Sequence, residues 1–112
     1  MTIREAAAML GAEILQEKFE DGMLTGAYTS DLLSDVMANA KEGGALITIQ
    51  AHKNTVAVAT LVNITLIVLC NNRPVQDNDM LEAAKDEGIA VIRTKENQFT
   101  VSGKLYAALK NP

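Results

Sequence analysis

Residues 44–70, GALITIQAHKNTVAVATLVNITLIVLC, limit what this chain can become more than any other stretch. Two apolar, β-branched runs bracket a polar knuckle, His52-Lys53-Asn54, and a segment of small and branched residues. The outer runs, Ala45 to Gln50 and Thr65 to Leu69, read as strands. Ala45 to Gln50 is apolar at most positions, as a parallel strand covered on both faces must be. Propensity alone would make Thr55 to Val62 a strand as well. Parallel neighbours, however, need a crossover of about a dozen residues, usually helical. Asn54 is a good helix cap, and Lys53, Thr60 and Asn63 fall on one polar stripe at i, i+7 and i+10. The stretch therefore predicts a tight strand-helix-strand unit with a helix over Thr55 to Val62. In such units ligands gather where strand C-terminal ends meet helix N-termini.

The flanks continue the alternation. Thr2 and Glu5 form a capping box, and Ile3, Ala6, Ala7 and Leu10 share one helical face that Gly11 ends. Ala12 to Gln16 reads as a short strand, Glu17 to Gly22 as a charged loop with Phe19 folded back, and Met23 to Tyr28 as a second strand. Thr29-Ser30-Asp31 offers cap chemistry for a helix to about Asn39. Its expected buried face is Leu32, Leu33, Val36, Met37 and Ala40, with Asp31, Asp35 and Asn39 opposite. Cys70 to Pro74 is a turn. A helix with Met80, Leu81, Ala83 and Ala84 on its apolar side starts at Asp79, or a turn earlier at Asp77 or Asn78, and Gly88 ends it. Ile89 to Ile92 is the fifth strand. A last helix runs from Asn97 or Gln98 to about Lys110, with Val101, Leu105, Ala108 and Leu109 on one side. The expected fold is α/β, a five-stranded, mostly parallel sheet flanked by helices, with residues 1–112 as one domain.

Composition narrows the function. The chain is 48% hydrophobic but only 4% aromatic, and its net charge is −4 with scattered lysines and arginines. No basic stripe invites nucleic acid or anionic lipid. The N-terminus lacks the pattern of a secretory signal. The longest apolar run, Thr55 to Cys70, is broken by Asn63 and falls short of the ~20 residues of a spanning helix. These features point to a cytoplasmic protein. The single cysteine, Cys70, ends an apolar strand and reads as a buried, reduced thiol. One histidine and one cysteine cannot build a His/Cys zinc site. Neither a G-x-x-x-x-G-K-[ST] loop nor a G-x-S-x-G elbow occurs. We expect no catalysis, no metal and no cofactor.

Thr29 to Met37 (TSDLLSDVM), the strand-knuckle-helix Thr48 to Leu61, and the strand-turn-helix Ile67 to Gly88 followed by Ile89 to Ile92 resemble DRTGG-domain proteins. That group is similar to the N-terminal domain of HPr kinase/phosphorylase and, more remotely, to that of MurF-type ligases. The resemblance covers nearly the whole chain. It implies a non-catalytic, regulatory α/β module that works beside CBS or enzymatic domains and tends to self-associate. The loops that give the group its letters hold His52-Lys53 and Cys70-Asn71-Asn72 here, in place of Asp-Arg and Thr-Gly-Gly. Lys53 keeps the positive charge, and Asn71 and Asn72 tolerate positive φ as glycine does.

Two clusters are candidate ligand contacts. His52, Lys53 and Asn54 open a helix whose amides attract anions; equally, Asn54 can simply cap the helix while Lys53 is solvated and His52 packs. Asn71, Asn72 and Arg73 follow the neighbouring strand and would share its edge, or serve only as a turn before Pro74. Together the six would suit a small anionic ligand such as a nucleotide. The Ser30, Asp31, Ser34, Asp35 group reads as a solvated helix face. The leading expectation is a regulatory module that senses such a ligand, with a homodimer and a protein partner of kinase or ATPase type. The alternative is a purely structural dimerisation or docking domain. Self-association is expected through Leu32, Leu33, Val36 and Met37, or through the last helix with Leu105 and Tyr106.

Overall fold

A computed structural model describes residues 1–75 and 78–110, so Asp77, one of the proposed helix starts, lies outside them. The elements follow one another as α1 (Ile3–Met9), β1 (Glu13–Gln16), β2 (Ala27–Thr29), α2 (Leu33–Asn39), β3 (Ala45–Thr48), α3 (Lys53–Leu61), β4 (Leu66–Leu69), α4 (Asp79–Glu87), β5 (Ala90–Arg93) and α5 (Gln98–Lys110). They build one five-stranded sheet in the order β1-β5-β4-β3-β2. β2, β3, β4 and β5 are parallel, and β1 closes the far side antiparallel to β5. The expected fold class is observed.

The winding decides where each helix goes. From β2 to β5 the chain always steps to the next strand in the same direction. Right-handed crossovers then place α2, α3 and α4 on one face. There Val36, Val56, Ala59, Met80 and Ala84 pack on Leu46, Ile67, Leu69 and Val91. α1 and α5 cover the other face, where Ile3, Ala6, Leu10, Val101 and Leu105 pack on Ile47, Val68, Cys70 and Ile92. β3 and β4 are buried at every position, which explains their unbroken apolar runs.

Helix wins over Thr55 to Val62, against strand propensity, because Thr55, Val56, Val58 and Ala59 present one buried face to the sheet. The capping box at Thr2 and Glu5 is present in both directions. Gly11 and Gly88 end their helices in the left-handed region, with φ of 59° and 67°. Phe19 folds back beneath the Arg4 guanidinium, 4.8 Å from the ring centroid.

Three expectations need correction. The second strand is only Ala27–Thr29, because Met23 and Leu24 are drawn to the start of α1: Met23 bridges Thr2, and the Leu24 amide donates to the Met1 carbonyl. α2 begins at Leu33 with no side-chain cap, because Asp31 is held elsewhere. Of the residues expected on its buried face only Val36 is fully buried, while Leu32 and Met37 are 64% and 47% exposed. α2 lies over the margin of the sheet with a helix on one side, so much of its apolar surface has nothing to cover it. No helix among the described residues is long and apolar enough to cross a membrane.

Candidate functional site

Four parallel strands end on the same edge of the sheet, and their following loops carry the predicted site. Thr48 and Leu69 are register partners at the ends of β3 and β4, so the two candidate loops leave the sheet about 5 Å apart. His52-Lys53-Asn54 and Asn71-Asn72-Arg73 are all exposed there.

The first loop turns into α3 by a different cap from the one expected. His52, not Asn54, is the N-cap: its backbone is extended (φ −140°, ψ 149°) and its Nδ1 accepts from the Asn54 amide at 3.0 Å. The ring nitrogen facing the helix is therefore an acceptor, and Nε2 is the one left to meet a ligand. Thr55, fully buried, donates its hydroxyl to the Gln50 carbonyl at 2.8 Å and fixes the loop from below.

The second loop is a tight turn in which the Arg73 amide reaches the Cys70 carbonyl at 3.2 Å. Its central residues, Asn71 and Asn72, have φ of 58° and 51°, the left-handed pair of a type I′ turn. Their amides do not face solvent. Asn71 donates to the Glu96 carbonyl at 2.9 Å and Asn72 to the Thr94 carbonyl at 2.8 Å, stitching the β4 loop to the β5 loop. What the second loop offers a ligand is side chains: the two carboxamides and the Arg73 guanidinium. Neither Lys53 nor Arg73 joins an ion pair among the described residues.

A third part of the edge escaped the sequence reading. Asp31, expected on a solvated helix face, bridges three elements through one oxygen. Its Oδ1 accepts from the Thr48 hydroxyl (2.8 Å), the Ile49 amide (2.9 Å) and the Gln98 carboxamide (3.0 Å). Gln50 adds a bond from its side chain to the Asp31 carbonyl at 3.2 Å. Asp35 is likewise engaged, accepting from the Tyr28 hydroxyl through both oxygens (2.9 and 2.8 Å) and from Asn39 at 2.8 Å. Hydrogen bonds from Ser30 and Tyr28 hold its carboxyl below the usual aspartate range. A carboxylate after a strand with polar partners one strand away was the available signal, but only the sheet order shows who those partners are.

Electrostatically the edge is mixed. The loops at this edge carry Lys53 and Arg73 as well as Asp31 and Glu96. Glu96 pairs with Lys104 at 2.6 Å through one oxygen and leaves the other buried without a partner. The Cys70 thiol is pushed up to about 11 by burial, with Asp31 and Glu96 adding to the shift. Such a thiol is a poor nucleophile at neutral pH. No group of His, Cys, Asp and Glu among the described residues could hold a metal.

A separate concavity of about 850 Å3 opens beside β2 and α5, lined by residues such as Tyr28, Thr29, Lys41, Phe99, Tyr106 and Lys110. None of the six candidate ligand residues lines it.

No protein-family model matches the chain, and no curated protein matches it by sequence. Among solved structures it is similar to the CBS and DRTGG domains of the regulatory region of Clostridium perfringens pyrophosphatase, a structure complexed with the activator diadenosine tetraphosphate. The TM-score is 0.73 at 17% identity over 93% of this chain, which spans 45% of that one. At this identity the likeness shows the fold, and it is a fold found in a regulatory region that contains a DRTGG domain.

Proposed function

We propose that residues 1–112 form one DRTGG-like, non-catalytic regulatory unit in the cytoplasm that senses a small anionic ligand of the nucleotide class. The ligand sits between His52-Lys53-Asn54 and Asn71-Asn72-Arg73. One observation carries this reading: β3 and β4 are parallel neighbours in register, and each is followed by an exposed loop whose cation joins no ion pair among the described residues. The α3 N-terminus adds attraction of ~0.3–1 kcal/mol for an anion at an exposed site. The structural neighbour, a regulatory region complexed with a dinucleotide activator, supports the ligand class.

The output is a change in association, either with a second copy or with a partner of kinase or ATPase type. Leu32 at the N-cap of α2 and Met37 within it, both exposed, supply an apolar patch for a homodimer. The test is a nucleotide panel read by thermal shift at low salt. Stabilisation by an anionic member should fall in Lys53→Ala and in Arg73→Ala, and should weaken as salt rises. Both variants should keep the wild-type melting temperature without ligand, since both side chains are exposed. If no nucleotide stabilises the protein, the purely structural reading replaces this one.

A further inference from the structure

Among the described residues nothing pairs with the outer edge of β2. The Gly26 carbonyl accepts from Ala45 and the Ser30 amide donates to Ile47, so Gly26, Tyr28 and Ser30 turn their main-chain groups toward β3. Alternation along the strand turns the amides and carbonyls of Ala27 and Thr29 outward. The 850 Å3 groove opens along this edge, and helices wall it on both sides. α5 is one wall. It runs opposite to the strands, since Gln98 reaches Asp31 just beyond β2 and Ser102, a turn later, meets Thr29 at its end, hydroxyl to hydroxyl at 2.6 Å. Tyr106 and Lys110 then lie ~6 and ~12 Å further along the helix, toward the start of β2. Asn39, the last residue of α2, with Ala40 and Lys41 just after it, forms the other wall.

Two properties of the groove specify its occupant. The first is shape. Phe99 and Tyr106, 88% and 66% exposed, flank Gly103, where an added Cβ would meet nothing within 4 Å. The helix thus carries an open notch between two aromatic rings, directly above a free strand edge. The second is charge. Lys41 and Lys110 line the groove and, among the described residues, no Asp or Glu does, in a chain of net charge −4.

We propose that this slot binds an extended, acidic peptide segment of a partner protein by strand addition. The peptide backbone pairs with Ala27 and Thr29, alternate side chains enter the notch over Gly103, and carboxylates lie against Lys41 and Lys110. The edge asks for donors and acceptors repeating every ~7 Å, which an extended backbone supplies. A second copy fits less well. Across a two-fold axis the same patch meets itself, bringing Lys41 and Lys110 of both copies into one cleft.

The probe is a short fluorescein-labelled peptide of alternating valine and glutamate, read by anisotropy, with a valine-lysine peptide and a proline-interrupted peptide as controls. The acidic peptide should bind. Gly103→Leu should weaken it by about tenfold or more by filling the notch. Leucine is the better helix former, so this variant keeps its fold. The double variant Lys41→Glu, Lys110→Glu should shift preference to the lysine peptide and serves if Gly103→Leu misfolds. Hydrogen exchange at the Ala27 and Thr29 amides should slow on addition of the acidic peptide. Lys53→Ala and Arg73→Ala should leave peptide binding unchanged, which separates this slot from the anion site. Equal binding of the lysine or proline peptide, or unaltered exchange at Ala27 and Thr29, overturns the proposal. So does light scattering that shows a dimer broken by Gly103→Leu, since the slot then holds a second copy.

Discussion

The two outer strands of the sheet have the same neighbours to fear and are defended very differently. β1 carries a charged residue, Glu13, paired with Arg93 at 2.9 Å, and its register slips between Ile14 and Gln16. Its last residue, Gln16, is buried, with its carboxamide bonded to the Ile89 carbonyl (2.8 Å), the Lys18 carbonyl (3.2 Å) and the Lys18 amide (2.6 Å). Charge and irregularity are the usual means of keeping an edge strand from recruiting another chain. β2, Ala27-Tyr28-Thr29, has neither; its protection is its length of 3 residues. Natural sheets need a reason to leave an edge so plain. A strand that is meant to be paired needs none of the defences.

The comparison also concerns how each edge is held in place, and it can be broken by mutation. Asp31→Ala should have the largest effect. It removes an ionised acceptor shared by Thr48, Ile49 and Gln98, and hydrogen bonds to a charged group contribute about 1.5–3 kcal/mol each, not additively. A loss of about 3 kcal/mol or more in urea denaturation is expected, with Asp31→Asn recovering part of it. A cost below about 1 kcal/mol would mean that the β2 edge is held by its ladder alone.

Gln16→Ala comes next. Losing a buried carboxamide that satisfies the Ile89 carbonyl should cost about 1–3 kcal/mol by the same measurement. Glu13→Ala should cost no more than about 1 kcal/mol, because Glu13 is 63% exposed and such pairs are screened. A larger cost would show that the ion pair stabilises the β1 edge as well as guarding it.

The smallest effect is in the pH profile of Tyr28→Phe. Asp35 has its pKa lowered below 3.8 by Ser30 and Tyr28. The stability it contributes is therefore complete above its unfolded value and is lost as pH falls through the lower folded value. Wild type should be the more stable at pH values above the unfolded aspartate's, and the two proteins should converge as pH falls through the lower folded value. A constant difference across that range would show that the Tyr28 hydroxyl acts through packing instead.

Much of this was legible beforehand, for local reasons. A capping box is written in residues three apart, and Thr2 and Glu5 fulfil it. Asn71 and Asn72 can take positive φ in place of glycine, and both do. The helix at α3 followed from topology, since the crossover between parallel neighbours is usually helical, even though the cap proved to be His52 and not Asn54. What failed was set by partners far away in sequence. Met23 has strand propensity, yet its neighbour is Thr2. Leu32 and Met37 fit a helical stripe, yet no element among the described residues covers them. Asp31 looks like a helix cap until Gln98, 67 residues later, arrives beside it. The two candidate loops share an edge as their spacing suggested, whereas the groove needs α5 to lie along β2, which no local pattern contains.

The order of the strands also bears on how the chain assembles. From β2 onward each strand joins the one made just before it, so four strands can accrete in the order of synthesis. β1 cannot take part, because Glu13 reaches Arg93, its pairing partner, 80 residues later. The apolar face of α1 waits with it, since the surface it covers includes Ala90 and Ile92. The segment made before the four parallel strands is thus among the last to find its place, and the defended edge is also the one that closes the sheet.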